Sequence, residues 1–268
     1  MTNIVITGCS SGIGLETARY LRDRFVTVYP TARKAEDVEK LRTMGFEHAM
    51  QLDVTQPEQI AAVIEKVLAI DGKIDIWFNN AGYGQMGAVE DVPLEALRDQ
   101  FETNVFGLHE CTRQILPVMR RQGYGKIIQH SSVLGLVALP YRGIYNASKY
   151  AVEGLTDTLR LELKGTGIYP VLLDTGPIAS HFRQTAIETL RRLNPGSVHA
   201  QLYRDTVQGK AKRVPFGLGP DAVARTVYEI LSADTPRPRY YITKATYLLG
   251  YAKRILSTAW LDRLLLKI

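Results

Sequence analysis

NIVITGCSSGIGLETARYLRDR, residues 3–24, joins an apolar run to a helical one through a glycine-rich turn. The run 3–7 reads as a strand buried on both faces, because it does not alternate. The segment 12–24 reads as a helix. Between them, TGCSSGIG places glycines at Gly8, Gly12 and Gly14. Glycine is needed where a backbone turns sharply or a ligand approaches closely. The helix start beyond offers free N–H groups and a positive dipole end to a diphosphate. Many turns are glycine-rich; the position between first strand and first helix gives this one weight.

Further strand-like runs lie at 25–32, 48–54, 73–81, 125–133 and 167–175, and helical runs at 36–44, 57–70, 94–122 and 145–164. Pro57 opens one helix at its first turn, where a missing N–H costs nothing. Such alternation predicts βαβ units and a parallel sheet between helical layers. The expected fold is α/β: a single-domain, Rossmann-type doubly wound parallel sheet of about seven strands, with helices on both faces. Ligands bind such sheets beyond the carboxyl ends of the strands. The rhythm breaks in the segment 176–219, which reads as a substrate lid. A helix at 220–232, a strand at 239–243 and an apolar tail with spaced basic residues at 245–268 complete the chain.

A chain of 268 residues with 22% charged and 46% hydrophobic residues is ordinary for a soluble globular protein and fits one large α/β domain or two small ones. The net charge of +6 is spread as short pairs such as Arg120-Arg121, which is no nucleic-acid stripe but suits an anionic cofactor. Cys9 and Cys111 sit in no metal or disulfide pattern, so reduced thiols in a cytoplasmic protein and no metal are expected. No signal peptide is read at the N-terminus. No apolar run reaches the roughly 18 residues of a membrane span.

In YNASK, Tyr145 and Lys149 are four apart and share a helical face. The glycine spacing of Gly8, Gly12 and Gly14, the NNAG of Asn79 to Gly82, Ser132 on the fifth strand and the Tyr145/Lys149 pair together resemble the short-chain dehydrogenase/reductase family along essentially the whole chain. Within it the chain is most similar to the NADP-dependent aldehyde, retinal and 17β-hydroxysteroid reductase branch. The resemblance implies hydride transfer between nicotinamide and a carbonyl, with Tyr145 as acid/base and Lys149 on the ribose. Ser132 would hold the substrate oxygen, and Asn104 would carry a water in the proton path. Lys149 would lower the phenol's pKa, ordinarily about 10. Ser131 faces the other way on its strand.

The resemblance also implies cofactor contacts from Gly8, Ser10, Ser11, Gly12, Ile13 and Gly14, and from Asn80, Ala81 and Gly82. Asp53 and Val54 would hold the adenine; a helix-capping role for Asp53 is the rival reading. The second strand ends in Arg33 and Lys34, with no acid for a ribose 2′-hydroxyl, so the sequence favours NADP(H) over NAD. The rival reading has both cations as solvated loop charges. Gly176, Pro177 and Ile178 would meet the carboxamide. Thr175 departs from the family's proline there and predicts a less rigid loop. Leu134, Leu139, His181 and Phe182 are the expected substrate contacts, pointing to a hydrophobic aldehyde or ketone. A steroid or other alicyclic alcohol is an alternative substrate, and a cofactor-sensing regulator without turnover is an alternative of another class. The tail could pack over the substrate site, join subunits of a homodimer or homotetramer, or touch a membrane surface.

Overall fold

The structure, a computed structural model, describes residues 1–180, 182–193, 196–209 and 217–267. The strands are β1 (Asn3–Ile6), β2 (Thr27–Ala32), β3 (Met50–Gln51), β4 (Ile76–Asn79), β5 (Gly125–Ser132), β6 (Ile168–Thr175) and β7 (Arg239–Tyr241). They form one parallel sheet in the order β3-β2-β1-β4-β5-β6-β7. The order reverses between β1 and β4, which opens a crevice at the carboxyl edge where the first turn lies.

Successive side chains of a strand face opposite layers. Ile4 and Ile6 pack with Ala18 and Leu21 of α1 (Gly12–Arg22), Leu41 of α2 (Ala35–Thr43) and Val227 of α9 (Asp221–Ser232). Val5 and Trp77 face the other way, into Ile60 and Val63 of α3 (Pro57–Asp71) and Ile115 of α5 (Leu108–Gln122). The doubly wound architecture expected from the alternation is therefore present. Cys9 and Cys111 are free and buried in these two layers, and burial pushes the Cys9 thiol up to about 12.

The single helix expected over 94–122 is three segments: α4 (Leu94–Phe101), a π-helical stretch (Glu102–Gly107) and α5. The wider π turn holds Asn104, now buried. π-helical insertions bend a helix and recur at functional sites. α6 (Gly143–Glu162) carries the YNASK motif. The segment 176–219 contains α7 (Phe182–Leu190) and α8 (Ala200–Val207), and the tail folds as α10 (Lys244–Ile255) and α11 (Thr258–Leu265). No described helix is long and apolar enough to cross a membrane.

Candidate active site

The glycine turn leaves β1 with Gly8 at φ 73°, a conformation that favours glycine. A methyl at Gly14 would stand 2.4 Å from the Gly8 carbonyl oxygen, so only hydrogen fits there. Ser11 precedes α1 in extended geometry and gives it no side-chain cap, leaving its first N–H groups uncapped by that residue. A cavity of about 460 Å³ opens there, lined by Ser10, Ser11, Gly12, Arg19, Ser180 and Gln184 among others. An uncapped helix start on an open cavity fits a diphosphate. Ile13 packs against the core beneath.

Asn80 is a fastener of this turn. Its amide donates to the carbonyls of Thr7 (2.8 Å) and Gly8 (3.1 Å), while the Thr7 hydroxyl accepts from the N–H groups of Asn80 and Ala81. Gly82 lies where a methyl would come within 2.9 Å of Asn104 Oδ1. Asn104 accepts from the N–H of Tyr83 at 3.1 Å and donates to its carbonyl at 2.9 Å. It also donates to Ser148 Oγ at 3.3 Å. The Asp53 carboxylate accepts from the N–H (3.0 Å) and hydroxyl (2.8 Å) of Thr55, and α3 is preceded by Gln56, so Asp53 does not cap that helix. Val54 is buried beside Gly107. Arg33 and Lys34 follow β2 and are exposed, and Lys34 pairs with Glu36 at 3.2 Å.

β5 ends in three residues whose alternation builds the site. His130 and Ser132 share one face; Ser131 takes the other and donates to Glu153. Ser132 Oγ accepts from Leu134 N at 3.1 Å and lies against the phenol of Tyr145. Burial pushes that phenol up to about 12, opposed by the Ser132 hydroxyl and by the charge of Arg142. The sequence assigned that opposing charge to Lys149. In the structure the Lys149 ammonium donates to the His130 carbonyl at 2.6 Å and stands 5.8 Å from the centre of the Tyr145 ring. Arg142 was missed, although three residues before Tyr145 it lies one turn back from it.

Burial lowers Lys149 to about 8, and the charges of Glu153 and Asp174 oppose this. Those two carboxylates share the guanidinium of Arg239, which donates to Glu153 and to Asp174 Oδ2 (2.8 Å). Burial and the neighbouring Glu153 raise the Asp174 carboxyl.

Thr175, in place of the expected proline, has a partner. His130 is partly buried, and desolvation together with the nearby Lys149 charge lowers it to about 3, so the ring is neutral. Its Nδ1 lies 3.1 Å from Asn80 Oδ1 and its Nε2 lies 3.2 Å from Thr175 Oγ1. Because the Asn80 oxygen can only accept, Nδ1 carries the proton and Nε2 accepts from the Thr175 hydroxyl, which the Ser131 carbonyl shares at 3.3 Å. The glycine turn, β5 and β6 are thereby tied in one hydrogen-bonded chain. Past Thr175, Leu218 N donates to the Pro177 carbonyl (3.1 Å) and Ala179 N to the Leu218 carbonyl (2.9 Å). That bridge leaves the Ile178 N–H out. Gly176 abuts Thr243, where a methyl would clash.

Of the residues expected to contact substrate, Leu134 and Leu139 pack with Val137 and Tyr145 against Leu249, Leu261 and Leu265 of the tail. The Phe182 ring lies 5.5 Å from that of Tyr145 and closes over Gly84. His181 lies outside the described residues.

Comparison with known proteins agrees with this geometry. A family profile described as short chain dehydrogenase matches residues 2–191. The chain belongs to the short-chain dehydrogenase/reductase family. It is 36% identical over 264 residues to an uncharacterized oxidoreductase, YbbO, of Escherichia coli strain K12, covering 98% of this chain and 93% of that one. It is 32% identical to human 17-beta-hydroxysteroid dehydrogenase type 1, covering 91% of this chain and 78% of that one. A solved short-chain dehydrogenase from Streptomyces avermitilis superposes with a TM-score of 0.79 at 28% identity, covering 98% and 95% of the two chains. The chain is thus a short-chain oxidoreductase of the kind that uses a nicotinamide cofactor.

Proposed function

We propose that the protein is an NADP(H)-dependent reductase converting a hydrophobic aldehyde or ketone to its alcohol. The bound nicotinamide would supply the hydride to the carbonyl carbon. Tyr145 donates the proton to the carbonyl oxygen, and Ser132 hydrogen-bonds that oxygen as charge develops. Lys149 holds the nicotinamide ribose and steadies the phenolate left behind. Asn104 links the site to a proton path toward solvent. Arg33 takes the 2′-phosphate with a forked guanidinium, and Lys34, already paired with Glu36, is the lesser helper.

The observation that carries this reading is the convergence of Ser132, Tyr145 and Lys149 at the carboxyl edge of the sheet, beside a glycine turn that fits a diphosphate. Burial keeps the phenol neutral at physiological pH, ready to donate. Leu134, Leu139 and Phe182 around that phenol support an apolar substrate. The human relative's name favours a second reading, a steroid or other alicyclic-alcohol dehydrogenase. A regulator without turnover would have no use for the intact trio. A cytoplasmic location and a homodimer or homotetramer complete the proposal; Phe106, Leu155 and Leu161 are exposed apolar residues suited to subunit contact.

The test is NADPH oxidation with aliphatic aldehydes, retinal and steroid ketones, for the native enzyme and for Tyr145→Phe. The phenol-less variant should lose on the order of a hundredfold or more of the rate. A variant as active as the native protein would refute the mechanism.

A further inference from the structure

Helices α10 and α11 have two apolar faces, and only one is covered. Leu249, Leu261 and Leu265 turn inward and pack in the buried cluster that contains Tyr145. On the outer face, Leu248, Ile255, Trp260 and Leu266 are 64%, 79%, 62% and 73% exposed. Between the helices runs an open groove of about 620 Å³, lined by Tyr247, Tyr251, Leu256 and Leu264 among others. Apolar surface gathered in this way marks a binding face.

The charge on that face says what covers it. Residues 244–267 carry Lys244, Lys253, Arg254, Arg263 and Lys267 against one acid, Asp262. Five positive charges less one negative leave +4, out of a whole-chain net of +6. A two-fold dimer would place this patch against itself. Two fourfold-positive surfaces would then be pressed together with one carboxylate each to relieve them. An anionic bilayer offers both missing partners, apolar chains for the leucines and negative headgroups for the cations. The side chains suit that boundary. Arg263 lies 5.0 Å over the Trp260 ring, so its charge can reach outward while the indole sits at the interface.

We propose that the outer face of α10 and α11 docks the enzyme on anionic membrane surfaces. Since the inner face of the same helices packs in the cluster that contains Tyr145, a lipophilic carbonyl compound would pass from the bilayer to that phenol. That consequence, though not the docking, rests on the function proposed above.

The experiment is sedimentation of the purified full-length protein with vesicles of phosphatidylcholine containing phosphatidylglycerol, and with phosphatidylcholine alone. No carbonyl substrate is present, so the result is separate from the reductase assay. Trp260 gives an internal signal: the chain has two tryptophans, and Trp77 is fully buried. The protein should pellet with the anionic vesicles, with a blue shift of Trp260 emission. Leu248→Asp/Ile255→Asp and, separately, Lys253→Glu/Arg254→Glu should each weaken partitioning by roughly tenfold or more while NADPH binding persists. Should either variant fail to fold, the native protein's pelleting and Trp260 emission decide alone. Absence of native protein from both pellets would overturn the proposal. So would a native dimer that the Leu248/Ile255 variant splits, because a second copy would then cover the face.

Discussion

The Lys149 ammonium donates to the main-chain carbonyl of His130 at 2.6 Å, a bond that fixes the charge inside the protein rather than on the phenol beside it. Burial has brought this lysine down to about 8. Its positive form, present below that pH, is the one able to steady a phenolate. As pH rises through about 8 the charge is lost, so NADPH-dependent reduction should fall along an alkaline limb there. Glu153 opposes the lowering, so Glu153→Gln should move the limb to lower pH. Profiles of kcat/KM against pH for the two proteins check this. An unmoved limb would show that Lys149 does not set it.

That prediction rests on residues with different histories in the sequence. Tyr145, Lys149 and the glycine turn were legible because helix and turn spacing is local. Ser132 and Ser131 could be told apart by strand alternation, and the same rule puts His130 on the Ser132 face. The cluster of Glu153, Asp174 and Arg239 could not be read. It joins α6, β6 and β7 across 86 residues of chain, and only the sheet order brings them together. The π turn at Asn104 was hidden for another reason: one extra residue in a turn leaves the helical pattern of 94–122 looking continuous. The tail's composition was plain, but its division into a covered and an uncovered face needed the packing.

The Thr175 hydroxyl and His130 Nε2, 3.2 Å apart in the interior, give a stability test. Thr175→Val keeps the shape and leaves the ring nitrogen unpaired. The expected loss is about 1–3 kcal/mol, read by urea unfolding, with Thr175→Ser recovering most of it. Equal stability of the valine variant would mean that the hydroxyl does not tie β6 to β5.

Phe182 and Arg142 act on the Tyr145 phenol in opposite senses. Oxidation of the alcohol needs the phenolate, so its rate should climb with pH as the phenol ionises. Phe182→Ala admits water, relieves the desolvation that raises the pKa, and should start the climb at lower pH. Arg142→Gln removes a charge that lowers the pKa and should delay it. pH profiles of NADP-dependent oxidation check both. Shifts in the same direction would contradict the stated causes.

Arg33 follows the end of β2 with its side chain exposed and forms no ion pair with any carboxylate among the described residues. Only its main-chain carbonyl is engaged, by Gln51 Nε2 at 3.0 Å. Its neighbour Lys34 is held by Glu36, though an exposed pair of that kind is weak and could be released to a phosphate. If the guanidinium grips the 2′-phosphate, Arg33→Asp removes a charge-assisted contact and adds a repulsive carboxylate. The KM for NADPH should rise roughly 10- to 100-fold, while that for NADH stays level or falls. Lys34→Ala should do less. Steady-state kinetics with both cofactors decide it: an unchanged NADPH preference in Arg33→Asp would move the 2′-phosphate contact away from this loop.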